Sequence, residues 1–363
     1  MARPGDIAVP AGPPDYGTIA RMLRFIALRL ALAIPTLLAI SFLVFFASYL
    51  SPADPVDILL GQRAAPEAKA RTRHEWGLDR PPLVRYADYV GGIVTRGDFG
   101  RSYMTREPIT EIVKRGFPNT ALLAALALTL SLVVGIPIGI LSAVYANRAP
   151  DRLAMSVALA GVAIPSFVLG PVLILWIGQP RGPMPVIGFS LQDHRTAWQF
   201  FVLPAVVLAA RSCALIARLT RSAMLDVLGQ DYIRTARAKG LSGGVVMFKH
   251  ALKNAFPPIL TVAGTTFGYL LSGSFVVETF FTIPGIGYQS IRSILDRDYP
   301  VVQAMALLLA TIFVLMNLTV DLLYGLLDPR ARVAGGGPLL LGGARRGAPP
   351  AAAGAAAPGE AQS

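Results

Sequence analysis

Residues 121–147 carry no charged side chain, a run long enough to cross about 30 Å of hydrocarbon at about 1.5 Å per residue. Lipid offers a backbone no hydrogen-bond partner, so such a run has to be a helix that satisfies its own amides. Five further apolar runs occupy residues 25–50, 153–178, 199–219, 258–280 and 301–327. The expected fold class is therefore an all-α membrane protein with six transmembrane helices. Pro35 marks a possible kink in the first, and Pro165, Gly170 and Pro171 argue against a straight rod in the third. Gly135, Pro137 and Gly139 in the second, and Gly264, Gly268, Ser272, Gly273 and Ser274 in the fifth, permit close helix contact. The fourth is expected to continue past the membrane to Leu228.

Composition supports a membrane chain: 54% of residues are hydrophobic and 15% charged, with a mean hydropathy of +0.56. The net charge of +12 sits mainly beside the apolar runs, where cytoplasmic retention of Lys and Arg accounts for it without nucleic acid. Six spans place both termini and the 230–257 loop on one side. Seven Lys and Arg lie from residue 218 to 253, against two in each of the smaller loops at 179–198 and 281–300, so that side reads as the cytoplasm. Residues 51–119 hold eleven Lys and Arg, but segments of this length escape the charge rule. The division of the chain is then a cytoplasmic lead over 1–24, disordered at its start, a first helix over 25–50, an extracytoplasmic segment over 51–119, a five-helix core over 120–332, and a Gly-, Pro- and Ala-rich disordered tail over 333–363. Cys213 is the single cysteine, which excludes an intrachain disulfide.

The polar insert between the fourth and fifth runs reads QDYIRTARAKGLSGGVVMFKHALKNAFPPILT. Residues 232–239 have helix-forming composition, Gly240 offers a left-handed stop, and Ser242 offers a cap for a second helix over 243–254 that Pro257 and Pro258 end. The product is a compact cationic knob bearing Arg234, Arg237, Lys239, Lys249 and Lys253.

The run TARAKGLS with HALKNAFPPILT resembles the coupling (EAA) loop of the membrane-spanning subunits of ATP-binding-cassette importers, in the form found in the dipeptide, oligopeptide and nickel branch. Aligned on Gly240, the chain has Arg234, Thr235 and Ala236 where the broad motif has an acid and two alanines, a departure that suits the peptide branch. HEWGLDRPPLVRYADYV, GDFGRSY and EPITEIVKRGFPNTALL in the first half, and VVETFFTIPGIGYQSI, RDYP and DLLYGLLDPR in the second, are similar to the same permeases. The resemblance implies a bacterial inner-membrane subunit that pairs with a second homologous permease subunit, two ABC ATPase subunits and an extracytoplasmic solute-binding protein, surrounded by membrane lipid and binding no nucleic acid. It implies ATPase coupling through Tyr232, Arg234, Thr235, Ala236, Arg237, Ala238, Lys239, Gly240 and Leu241, and a di- or oligopeptide as the first expectation for the substrate, with nickel chelates, glutathione and some sugars left open because similar permeases carry them. ATP and magnesium belong to the partner subunits, and the chain itself holds no cofactor or metal and catalyses no reaction.

The chemistry in the sequence agrees with that division of labour. Leu241, Ser242, Gly243 and Gly244 mimic part of an ATPase signature, but no G-x-x-x-x-G-K-[ST] phosphate loop occurs. His74, His194 and His250 all fall outside the hydrocarbon, leaving Ser272 and Ser274 without a base for intramembrane hydrolysis. Neither H-E-x-x-H nor C-x-x-C occurs. Arg211 and Arg218 lie about two turns apart on one helix face. Arg211 is read either as a pathway or gating charge in a wet cavity or as a snorkelling side chain. Asp321 is read either as a partner for Arg218 or Arg221 or as an interfacial carboxylate. The rival to an ATP-driven permease is an ion-gradient-driven secondary transporter using Arg211, Asp321 and Glu278.

Overall fold

The computed structural model describes residues 16–51, 54–178 and 199–327. The first part of the lead, the 179–198 loop with His194, Asp328 and the tail from residue 333 lie outside them. Among the described residues no strand forms, and Arg101 and Pro108 make an isolated antiparallel bridge.

Helix α1 (Tyr16–Tyr49) runs through Pro35 and lies against α13 (Tyr299–Leu327). Much of its apolar surface, Leu28, Leu32, Ile34 and Leu43 included, is unshielded by the chain, as a lipid-facing or partner-facing helix requires. Three short helices follow, α2 (Pro55–Leu60), α3 (Pro66–Glu75) and α4 (Pro82–Arg96). Leu83, Tyr86, Tyr89 and Val90 fall in α4, which packs on α1: Tyr86 donates to Leu38 O at 3.1 Å and meets Phe42 and Phe45 edge-on. Leu83 points away and is exposed.

The centre is the pair α5 (Ile109–Val144) and α8 (Gln199–Leu228). Their backbones approach so closely that a Cβ on Gly139 would fall 2.6 Å from Ala217 O, a distance no side chain tolerates. Leu123, Ala124 and Ala127 of α5, Phe201, Val207 and Leu208 of α8, and Leu270 and Leu271 of α10 (Lys253–Gly273) form the main core with Phe281. α8 ends at Leu228 as read from the sequence, whereas α5 starts at Ile109 instead of 121. Ile109 and Ile112 explain the extra turns: with Ile286, Val301, Ala304 and Met305 they bury a second core around α12 (Ile286–Leu295) and the start of α13. Asp298 pins this end of the bundle, accepting hydrogen bonds from Ser102 Oγ and from Tyr103 N–H at 2.9 Å.

The third apolar run divides into α6 (Ala149–Ala163) and α7 (Ser166–Ile177), bent by 103° at the break. Ile164, the residue before Pro165, is extended at ψ 116°, since a proline disfavours the helical conformation of its predecessor. Four described helices are long and apolar enough to cross a membrane, or five if the bent pair counts as one span. α10, the expected fifth of six, is not apolar enough to join them.

Its start also corrects the sequence reading. Pro257 and Pro258 do not end the second loop helix; they lie inside α10, which continues from a π-wound segment, Val245–Leu252. Proline stops a helix by crowding the carbonyl four residues earlier, and the wider π turns just before the pair reposition the backbone that would clash. Ser242 likewise contributes its backbone carbonyl, which accepts Val246 N–H at 3.1 Å, in place of the expected side-chain cap.

Candidate functional site

Helix α9 (Asp231–Ala238) forms the first half of the 230–257 knob. Its inward residues Ile233 and Ala236 pack with Met224, Val246, Ala251 and Ala255, which fastens the knob to the last turns of α8 and the root of α10. The helix ends as its sequence dictates. Gly240 takes φ +75°, Gly240 N–H donates to Arg237 O at 2.9 Å and Leu241 N–H to Ala236 O at 3.4 Å, the two bonds of a Schellman ending. Across the corner, Asn254 Nδ2 donates to Tyr232 Oη at 2.9 Å and joins the two arms.

Of the sequence-predicted coupling residues, Tyr232, Arg234, Thr235, Arg237, Ala238, Lys239, Gly240 and Leu241 are exposed together on the outer surface. Ala236 is the exception: it is 7% exposed and packs inward. Val245 and Phe248 were missed. Both are exposed, Val245 at 40% and Phe248 at 64%, and add apolar surface to the cationic knob. Their signal was present in the sequence as large apolar residues on a polar turn.

Arg211, Leu215 and Arg218 share the unshielded face of α8, whose other faces are buried. Arg211 Nη1 donates to Tyr269 Oη of α10 at 3.3 Å and its guanidinium carbon lies 5.6 Å from that ring's centre. Among the described residues Arg211 pairs with no carboxylate, and the exposed tyrosine ring takes that place. The side chain of Asp321 lies outside the described residues. Arg221, one of its two suggested partners, is instead held by Asp151 at the start of α6: Nε and Nη2 each donate to a separate carboxylate oxygen at 2.7 Å. Asp151 is 3% exposed and also accepts from Ser142 Oγ and from Asn147 N–H at 2.7 Å. This cluster locks α5, α6 and α8 together beside the knob. A bidentate pair is specified by geometry, and nothing in the spacing of residues 151 and 221 announced it.

Glu278 of α11 (Phe275–Phe280), named in the secondary-transporter alternative, is fully buried. Its carboxylate accepts from Ser274 Oγ at 2.6 Å, Thr120 Oγ1 at 2.8 Å and Tyr288 N–H at 3.0 Å. It ties the 282–288 turn to α5, a structural use that leaves no open ion-binding group there.

Comparison with known proteins assigns this architecture. The family model described as "Binding-protein-dependent transport system inner membrane component" matches residues 135–333, and the model of that family's N-terminal region matches residues 22–124. The glutathione transport system permease proteins GsiC of Salmonella typhimurium and Escherichia coli are each 40% identical over 311 residues, covering 86% of this chain and 99% of the relative. In fold the chain is similar to an inward-facing structure of the MetNI methionine ABC transporter, with TM-score 0.51, 20% identity, and coverage of 61% of this chain and 99% of that one. The chain therefore belongs to the binding-protein-dependent transport system inner membrane components, the permease subunits of ABC importers.

Proposed function

We propose that the knob at residues 230–257 is the surface that an ATPase subunit grips, and that the face of α8 bearing Arg211 and Arg218 borders the substrate path. The observation that carries the first part is the division of α9. Ile233 and Ala236 anchor it inward, while Tyr232, Leu241 and Phe248 stand out amid Arg234, Arg237 and Lys239. Apolar anchors ringed by charge are what a docking peg needs, because the anchors supply affinity and the charges steer and orient. A peg fixed to two long helices transmits motion as a rigid body, so ATP-driven closure of the partner moves α8 and α10 together.

In this reading the chain makes six crossings, with α6 and α7 as one bent span and α10, packed among α5, α8 and α13, as the crossing too polar to face lipid alone. Both termini and the knob are then cytoplasmic. Two homologous permease subunits enclose the path, two ATPases serve them, and a solute-binding protein meets the surfaces at 51–119 and 282–300. Glutathione, named in the 40% identical relatives, makes a small peptide with free carboxylates the substrate class; Arg211 with Tyr269 suits such an anion. The ion-gradient alternative falls with family membership.

The test places a single cysteine at Leu241→Cys or Phe248→Cys in a Cys213→Ser background. Crosslinks from the assembled importer are expected to capture the ATPase. Labelling of these cysteines only from the external medium, or crosslinks that never reach the ATPase, overturns the reading.

A further inference from the structure

A cavity of about 510 Å³ lies between α3, α4, the outer end of α1 and the first turn of α13. It is within the size range of small-ligand sites. Four arginines line it, Arg73, Arg80, Arg85 and Arg101, against two carboxylates, Asp54 and Asp88. Asp54 pairs with Arg73, and Asp88 pairs with Arg80 at 2.7 Å. That leaves Arg85 and Arg101 without a carboxylate among the described residues. Arg85 sits 5.8 Å from the centre of the Phe45 ring, and Arg101 donates to the backbone carbonyl of Arg106 at 3.2 Å. The cavity thus carries a surplus of two positive charges.

A second observation points to an occupant. The Tyr89 hydroxyl is buried and has no hydrogen-bond partner, although Tyr89 lines the cavity. Burial pushes its phenol above the ordinary range, so it remains a donor. A buried donor of this kind costs free energy unless something outside the chain accepts from it. Depth identifies the source of that acceptor. Tyr49 ends the α1 span and Tyr299 begins the α13 span, and both line the cavity, which sets it at the level where lipid headgroups meet water. Beside it Tyr49 and Leu50 are 50% and 76% exposed, an apolar wall on which acyl chains can lie. Trp76 and Tyr103, stacked at 4.1 Å, supply the aromatic wall on the water side.

We propose that this cavity binds the phosphate headgroup of an anionic phospholipid of the leaflet that is outer in the topology proposed above, with Arg85 and Arg101 facing the phosphate and the Tyr89 hydroxyl, enclosed in this conformation, donating to it once the neighbouring side chains part. Guanidinium forks match phosphate oxygens in charge and geometry, and basic pockets between membrane helices hold headgroups in this way. An occupied cavity would brace the 54–103 segment on α1 and α13.

The test is native mass spectrometry of the full-length chain released from nanodiscs of either phosphatidylglycerol or phosphatidylcholine. One phosphatidylglycerol is expected to stay bound with about tenfold preference over phosphatidylcholine, and an Arg85→Gln/Arg101→Gln variant is expected to lose about that preference. Tyr89→Phe serves as the second variant, because a merely structural tyrosine with an unpaired hydroxyl would tolerate phenylalanine, whereas a headgroup donor should weaken retention about threefold. Glycerol phosphate in solution should not displace the lipid. Equal retention of the two lipids, unchanged retention in both variants, or displacement by glycerol phosphate as effectively as by lipid overturns the proposal.

Discussion

Gly240 shows how one residue constrains the knob. Space is not the issue, since nothing lies within 4 Å of a Cβ built there; the restriction is φ +75°. Gly240→Val, β-branched in a left-handed position, is expected to cost about 1 kcal/mol or more and to misplace Lys239 and Leu241. Membrane insertion should persist while substrate-stimulated ATPase activity of the reconstituted importer is lost; a normal rate would show the corner to be unimportant. Arg221 carries a different kind of dependence. Truncation by Arg221→Ala leaves the buried Asp151 carboxylate without its cation, a loss of roughly 3 kcal/mol. Asp151→Asn with Arg221→Gln, which removes both charges, should recover part of that loss in detergent melting curves. Had Asp321 been the partner of Arg221, Asp151→Asn would leave the melting curve unchanged.

Among the elements, the α5 and α8 pair decides how tightly the centre closes. Gly139→Leu inserts a side chain where backbone stands 2.6 Å from the Cβ position, and the helices have to separate at a cost of about 1–3 kcal/mol or more. Lower expression and a lower melting temperature are expected, with the half that bears residues 230–257 most easily proteolysed. Where α13 begins, burial raises the Asp298 carboxyl above its ordinary range, against the lowering effect of the Ser102 and backbone donors. The folded state therefore binds its proton more tightly than the unfolded chain does. Stability from this group is expected to rise as pH falls through the folded value toward the ordinary aspartate range, and to be complete below it. Melting curves of the wild-type chain and Asp298→Asn across mildly acidic pH would show this dependence in the first and not in the second.

For the whole molecule, family membership sets the chain within a larger machine in the inner membrane, with an ATPase as motor and a binding protein as supplier. Vanadate is expected to abolish uptake by the assembled importer without dissociating the permease, because the blocked step is on the partner. Uptake that continues in vanadate would contradict the coupling through residues 230–257. The unshielded apolar surface of α1, α6 and α7, where Trp176 is 81% exposed, is what a subunit in contact with lipid presents.

The long spans, the break at Pro165, the end of α8 and the left-handed Gly240 were legible in the sequence because each rests on local physics: hydrocarbon thickness, proline sterics and the freedom of a residue without Cβ. The resemblance in TARAKGLS pointed to the permease family before any fold was in view. Tertiary structure alone decided that Asp151 holds Arg221, that Glu278 is buried among hydroxyls, that Ala236 turns inward while Phe248 turns out, and that Pro257 and Pro258 sit inside a continuing helix. Each of these depends on what another segment brings alongside. An ion pair seventy residues apart has no spacing signal, and a proline's effect is settled by the winding of the turns before it.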